Sequence, residues 1–216
     1  MLKALICDLD GTILDTVSSI AYYLNDALTR LGYGTVRESD CNYFAGDGSR
    51  VLARRALNSL GVFGEEKIAA LHDLYKATYD TAPLYKTEVF PCVKETLLCL
   101  KERGVKLGVI SNKPHSATVP IVEHFFGDLF DFVLGYSGSF PLKPAPDSAF
   151  YAARVMGIET NEIAYIGDTS TDIEFAKSFG AGKKIGVLWG FRDYAELRDA
   201  GADLIISNME EVLALF

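Results

Sequence analysis

Six short runs of apolar, largely β-branched residues punctuate the chain, at positions 2–7, 106–110, 132–135, 163–166, 185–188 and 204–206. Each ends in glycine or polar residues. Such runs read as strands buried on both faces, as in a parallel sheet. From Phe90 onward they alternate with helical patterns. One covers 93–103 and is closed by Gly104, a C-terminal signal. A second starts at Pro114, where a missing N–H costs little, and continues to Phe126. A third starts near Asp147 as N-cap, and a fourth runs from about 171 to 179 with Gly180 after it. Strand–helix alternation predicts an α/β fold with a doubly wound, Rossmann-like parallel sheet and right-handed crossovers.

Residues from about 15 to 86 break that rhythm. Ile20, Tyr23, Leu24, Ala27, Leu28 and Leu31 form one stripe of an amphipathic helix. Asp47-Gly48-Ser49 opens another, carrying Val51, Leu52, Ala56, Leu57 and Leu60, and a third carries Ile68, Leu71, Leu74, Tyr75 and Thr78. About seventy residues of helix without a strand, inserted after the first strand, predict a helical cap domain at 15–86. The α/β core is then 1–14 plus 87–216, with hinges near Asp15 and Lys86.

Composition adds exclusions. The 216 residues are 49% hydrophobic and 23% charged, as in an ordinary globular protein. A net charge of −8 argues against a general nucleic-acid binder. No apolar run approaches the roughly 18 residues a membrane helix needs, and the first is too short for a signal peptide's core. Cys7, Cys41, Cys92 and Cys99 form no CxxC pair and no zinc spacing. Free thiols and a cytoplasmic setting fit best, for a monomer or homodimer without nucleic-acid or membrane partners.

In an open α/β sheet, ligands bind outside the carboxyl ends of the strands, so the residues following each strand carry the information. Asp8-Leu9-Asp10-Gly11-Thr12 follows the first, Ser111-Asn112-Lys113 the second, Lys143-Pro144 lies after the third, and Gly167-Asp168-Thr169-Ser170-Thr171-Asp172 follows the fourth. Four carboxylates, hydroxyls and a lysine thus converge on one edge. A D-x-D-G-T string arises by chance on the order of 10⁻⁵ per position. Phosphoryl transfer needs an in-line nucleophile, neutralisation of the equatorial oxygens and protonation of the leaving group. Asp8 can be that nucleophile and Asp10 the general acid and base. Several carboxylates beside a phosphate dianion require a hard cation, and Mg²⁺ suits oxygen ligands. The expected ligands are Asp8, Asp10 through its carbonyl, Asp168 and Asp172, the last reading equally as a capping residue. Lys143 adds positive charge and Ser111 holds phosphate oxygens. Thr12, Asn112, Lys113 and Arg50 complete the expected substrate-binding set, Arg50 or Lys113 pairing with a second anionic group. His72 and His124 read as chemically idle, His115 as structural, and Trp189 and Phe191 as packing.

These residues resemble the haloacid dehalogenase superfamily of phosphatases over nearly the whole chain. Asp8–Thr12 is similar to its first motif, Ser111 its second, Lys143 its third, and Asp168 with Asp172 its fourth. The helical insert resembles its C1-type cap. The resemblance implies Mg²⁺, a phosphoaspartate intermediate and a cap that closes over a small phosphorylated metabolite. Asp10 implies phosphate-ester chemistry, since relatives that remove halide or cleave phosphonates lack it. Phe44–Gly48, Ser111–Pro114 and Gly186–Phe191 resemble phosphoglycolate phosphatases; pyrophosphatases and other small-monoester phosphatases share similar strings. A sugar-phosphate mutase and a non-catalytic binding protein on the same scaffold are the alternatives.

Overall fold

The structure, a computed structural model, describes residues 1–216. β1 (Ala4–Cys7) leads into a two-residue strand, β2 (Leu14–Asp15). Four helices follow: α1 (Val17–Arg30), α2 (Glu38–Phe44), α3 (Ser49–Ser59) and α4 (Glu65–Tyr79). β3 (Glu88–Val89) then returns to pair antiparallel with β2, Leu14 opposite Val89 and Asp15 opposite Glu88. Thereafter the chain alternates through α5 (Val93–Glu102), β4 (Lys106–Pro114), α6 (His115–Phe126), β5 (Phe132–Tyr136), α7 (Asp147–Met156), β6 (Ile163–Gly167), α8 (Ser170–Ser178), β7 (Lys183–Val187), α9 (Tyr194–Ala200) and β8 (Leu204–Ile206).

The main sheet has the order β5-β4-β1-β6-β7-β8, all neighbours parallel. Counted along the chain as six core strands, this is the doubly wound order 3-2-1-4-5-6, whose strand order reverses at β1. The pleat distributes the buried side chains. Leu5 and Cys7 join Leu97 and Leu100 of α5 and Ile121 of α6 in one core. Ala4 and Ile6 join Ala149 and Ala152 of α7 and Phe175 of α8 in another. With helices on both faces, the central strands are apolar over most of their length, β4 turning polar only at its two ends. The first core continues without a break into the four-helix segment, where Leu24, Leu28, Leu57 and Leu71 are fully buried. Each such leucine contributes about 1.5–3 kcal/mol by leaving water.

Four details depart from the sequence expectation. β4 does not stop at Ile110: it runs to Pro114 through a register irregularity, so Ser111, Asn112 and Lys113 sit on the strand's distorted end. α6 accordingly starts at His115, with Pro114 before it. Asp147 is the first residue of α7, not its N-cap, a place where its charge still suits the helix dipole. The β2–β3 ribbon, the seven-residue α2 and α9 were not expected at all; only α9 announces itself locally, by Asp193 accepting from the N–H of Glu196 at 3.0 Å.

Candidate active site

β1 ends at Cys7, and the next residue is held by the sheet, Asp8 N–H donating to the Ile166 carbonyl at 2.9 Å. The chain then turns tightly, the Leu9 carbonyl accepting from the N–H groups of Thr12, Ile13 and Leu14. Gly11 makes the turn possible: its φ is +79°, and a Cβ there would lie 2.3 Å from Asp168 Oδ2. Asp8 is thereby fixed, buried, at the reversal point of the sheet. Its Oδ1 lies 2.9 Å from Lys143 Nζ, the distance of a charge-assisted hydrogen bond.

The fourth strand supplies the facing acids. Thr169 caps α8, and Asp172, three residues on, accepts from the Thr169 N–H at 3.1 Å and its hydroxyl at 2.7 Å, a reciprocal capping box. The other oxygen of Asp172 accepts from Lys143 Nζ at 2.7 Å and the Tyr165 hydroxyl at 3.1 Å. A Cβ on Gly167 would overlap Asp172, so this close approach needs glycine. Asp168 is fully buried and accepts from Thr12 Oγ1 at 3.0 Å and the Phe191 N–H at 2.8 Å. Gly190 lies against it, with no room for a side chain.

Asp8, Asp168 and Asp172 each present an oxygen, all within 4.8 Å of one another, against one buried ammonium, that of Lys143. Burial, with the Asp172 and Asp10 charges and against Lys143, pushes the Asp8 carboxyl up to about 6. Asp168 is held well above the usual range, by burial first and then by Asp172 and Asp8. Burial alone would lower Lys143, but Asp172 and Asp8 outweigh it and keep the ammonium charged. Three buried acids with one cation between them are stabilised by more positive charge, and an all-oxygen set of this kind fits a hard divalent ion.

Above this floor opens a cleft between the core and the helical segment. Asp8, Asp10, Ser111, Asn112 and Lys113 form its lower wall; Ser49, Leu52, Tyr75 and Tyr79 face them from α3 and α4. Lys113 Nζ bridges both oxygens of Asp10 at 3.0 and 3.1 Å and lies 4.4 Å from the Tyr79 ring centre.

The sequence-predicted residues divide in this geometry. Asp8, Asp10, Ser111, Asn112 and Lys113 line the cleft, and Lys143, Asp168 and Asp172 lie beneath it. The Asp10 carboxylate stands outside the three-acid cluster, on Lys113. Thr12 does not reach the cleft: its hydroxyl is fully buried and steadies Asp168. Asn112 lines the cleft but spends its amide on the protein, accepting from the Lys143 N–H at 2.8 Å and donating to Gly46 O at 3.3 Å. Arg50 departs most. It points along the helical surface to Glu65, 2.9 Å away, and is absent from the cleft wall.

Other residues gained roles. Tyr165 is fully buried between Lys143 and Asp172, and the one hydroxyl in an otherwise aliphatic strand was the available signal. Trp189 donates to the Thr12 carbonyl at 2.9 Å and the Phe191 N–H holds Asp168, so this string braces the site as well as packing it. His72 makes a contact of its own, its Nε2 lying 3.1 Å from Ser49 Oγ in the cleft wall. His115 is structural, accepting from the Gly135 N–H.

Comparison with known proteins agrees with this geometry. A profile of the haloacid dehalogenase-like hydrolases matches residues 5–185. Phosphoglycolate phosphatase 1 of Pseudomonas aeruginosa is 30% identical over 211 residues, 95% of this chain and 76% of its own length. A phosphoglycolate phosphatase of Haemophilus influenzae is 27% identical, covering 96% of this chain and 95% of its own. The crystal structure of a predicted phosphoglycolate phosphatase from Haemophilus somnus superposes with a TM-score of 0.91 at 27% identity, over 99% and 97% of the two chains. The chain therefore belongs to the haloacid dehalogenase-like hydrolase family and is an enzyme.

Proposed function

We propose that this enzyme hydrolyses a small phosphate monoester through a phosphorylated Asp8, with Mg²⁺ as cofactor and 2-phosphoglycolate as the leading substrate. One observation supports this above the others: Asp8 lies buried at the sheet's reversal point, 2.9 Å from the buried Lys143 ammonium and clustered with two further acids. The names carried by the relatives described above support the substrate choice.

In this reading Asp8 attacks phosphorus in line, and the leaving alcohol takes a proton from Asp10. Water then gives its proton back to Asp10 and attacks the phosphoaspartate, which releases phosphate and restores Asp8. Asp10 sits on Lys113 in the resting site. An anionic substrate competes for Lys113, and Asp10 is then free to carry the proton. Lys143 keeps Asp8 oriented and offsets charge on the phosphoryl oxygens, while Asp172 and Tyr165 hold Lys143. Asp8, Asp168 and the Asp10 carbonyl would hold Mg²⁺, with Asp172 acting mainly through Lys143. The ion supplies charge neutralisation for the phosphoryl group. Residues 15–86 act as a cap, closing over the cleft and excluding bulk water, with the β2–β3 ribbon at its base.

The test is phosphate release from 2-phosphoglycolate, pyrophosphate, hexose phosphates and nucleotides, with Mg²⁺ and with chelator. Mg²⁺-dependent turnover with 2-phosphoglycolate preferred is the expected result. Negligible release from every ester would end the hydrolase reading, and release only with a sugar bisphosphate present would favour a mutase.

A further inference from the structure

Asp10 is held by a row of buried groups that begins on the helical segment. Lys113 Nζ reaches both Asp10 oxygens, and the lysine side chain is only 5% exposed. On the far side of that ammonium stands Tyr79 of α4, its ring centre 4.4 Å away. The Tyr79 hydroxyl lies against Lys113 and against Ser19 of α1. Tyr79 and Ser19 are both buried. An ammonium offers three donors and no acceptor, so two carboxylate oxygens and one phenol oxygen can occupy it completely. Burial, against the Lys113 charge, holds the Tyr79 phenol above its usual range, so the hydroxyl keeps its own proton to share with Ser19.

Packing alone does not call for this hydroxyl. The Tyr79 ring sits edge-on to Tyr23, centres 5.2 Å apart, and is tilted against Tyr75 at 5.5 Å. A phenylalanine would make both contacts and would still leave an aromatic ring beside the ammonium. What the phenol adds is one polar atom, placed at the end of the lysine that holds Asp10. Its neutrality matters. A carboxylate in that place would compete with Asp10 for the ammonium, whereas a phenol steadies the ammonium and leaves its charge to Asp10.

We propose that Tyr79 is a positioning residue for the reaction: through Lys113, and steadied by Ser19, its hydroxyl fixes where the Asp10 carboxylate stands. When an anionic substrate takes a share of Lys113, the phenol keeps Nζ from following it. Asp10 then stays within reach of the leaving oxygen. The inference rests on Asp10 as the proton carrier, and it adds the residues that aim that carrier.

The experiment measures kcat for 2-phosphoglycolate and for p-nitrophenyl phosphate in wild type, Tyr79→Phe, Asp10→Asn and the double variant. Tyr79→Phe should lower kcat for 2-phosphoglycolate about tenfold, the worth of one hydrogen bond to a charged group. For p-nitrophenyl phosphate, whose leaving group needs little protonation, the loss should be less than about twofold. Added to Asp10→Asn, Tyr79→Phe should change kcat for 2-phosphoglycolate by less than about twofold, because the group it positions is already gone. Ser19→Ala, which leaves the Tyr79 ring and hydroxyl in place, should repeat the wild-type-background pattern with a smaller loss. A Tyr79→Phe loss that is equal for the two esters, or undiminished in the Asp10→Asn background, would overturn the inference by showing that Tyr79 only shapes the cleft. An unchanged kcat in Tyr79→Phe would overturn it as well. These results leave Asp10 untouched. A loss in Asp10→Asn alone that is equal for the two esters would instead remove the proton-carrying reading, and the inference with it.

Discussion

At the scale of single residues, the site is a problem of placing charge. Asp8 and Asp10 stand two positions apart in the sequence, yet they meet different partners: Asp8 faces Lys143 and the buried acids, whereas Asp10 faces Lys113 at the cleft wall. That division suits a nucleophile and a proton carrier. Asp10→Asn should lower kcat for an alkyl phosphate by about 10²–10⁴. The loss should shrink for p-nitrophenyl phosphate, whose leaving group needs little protonation. Equal losses with both esters in steady-state assays would remove Asp10 from the proton-carrying role. The acids themselves were legible in the sequence because each follows a strand. The ends of the long side chains were not. Arg50 and Thr12 stand close to cleft-lining residues in sequence, but Glu65 claims the first and Asp168 the second. Pairing across elements leaves no local trace.

At the scale of elements, the six core strands could be read because burial on both faces makes them continuous apolar runs. The β2–β3 ribbon could not, since each strand has two residues, too few for any period to emerge. The end of β4 was misjudged because Ser111 and Asn112 are polar, yet they stay on the strand, their side chains answering to the site rather than to the core. Polar side chains also fasten the far ends of these strands. Asp131, just before β5, accepts from the Leu107 N–H of β4 and from Lys101 of α5, both at 2.8 Å. Partial burial works against its charge, but Lys101 and the Leu107 N–H prevail and hold the carboxyl below its usual range. A depressed native pKa means stability that is present above the unfolded value near 4 and disappears as pH falls through the native one. Asp131→Asn should therefore cost about 1 kcal/mol at pH 7, a figure reduced for its partial exposure. Denaturant melts should show the gap between variant and wild type closing as pH falls from the unfolded value through the depressed native one. A gap independent of pH would mean that shape, not charge, is what Asp131 provides.

At the scale of the whole molecule, the helical segment is tied to the sheet at the loop between α2 and α3. Asp47 accepts from Thr171 of α8 at 2.6 Å and pairs with Arg55 of α3 at the same distance. Arg192, before α9, donates to the carbonyls of Asn42 and Ala45, and Asn112 donates to Gly46 O. These contacts reach the segment directly above Asp168 and Asp172. Asp47→Ala removes the tie to Thr171 without touching an acid of the floor, and its effect should fall on KM, raised about tenfold. Steady-state kinetics giving a lower kcat at unchanged KM would contradict a role in holding the cleft closed. The helical insert itself was visible as a break in the strand–helix rhythm, but its hold on the core depends on long-range hydrogen bonds that no local pattern encodes.

The central claim concerns Asp8, and trapping the phosphorylated enzyme tests it most directly. Enzyme mixed with 2-phosphoglycolate and Mg²⁺, quenched in acid within one turnover, should carry one phosphoryl group on the peptide containing Asp8 when read by mass spectrometry. Asp8→Asn should carry none and release no phosphate. A phosphoryl group found on another residue, or phosphate release that survives in Asp8→Asn, would contradict the account.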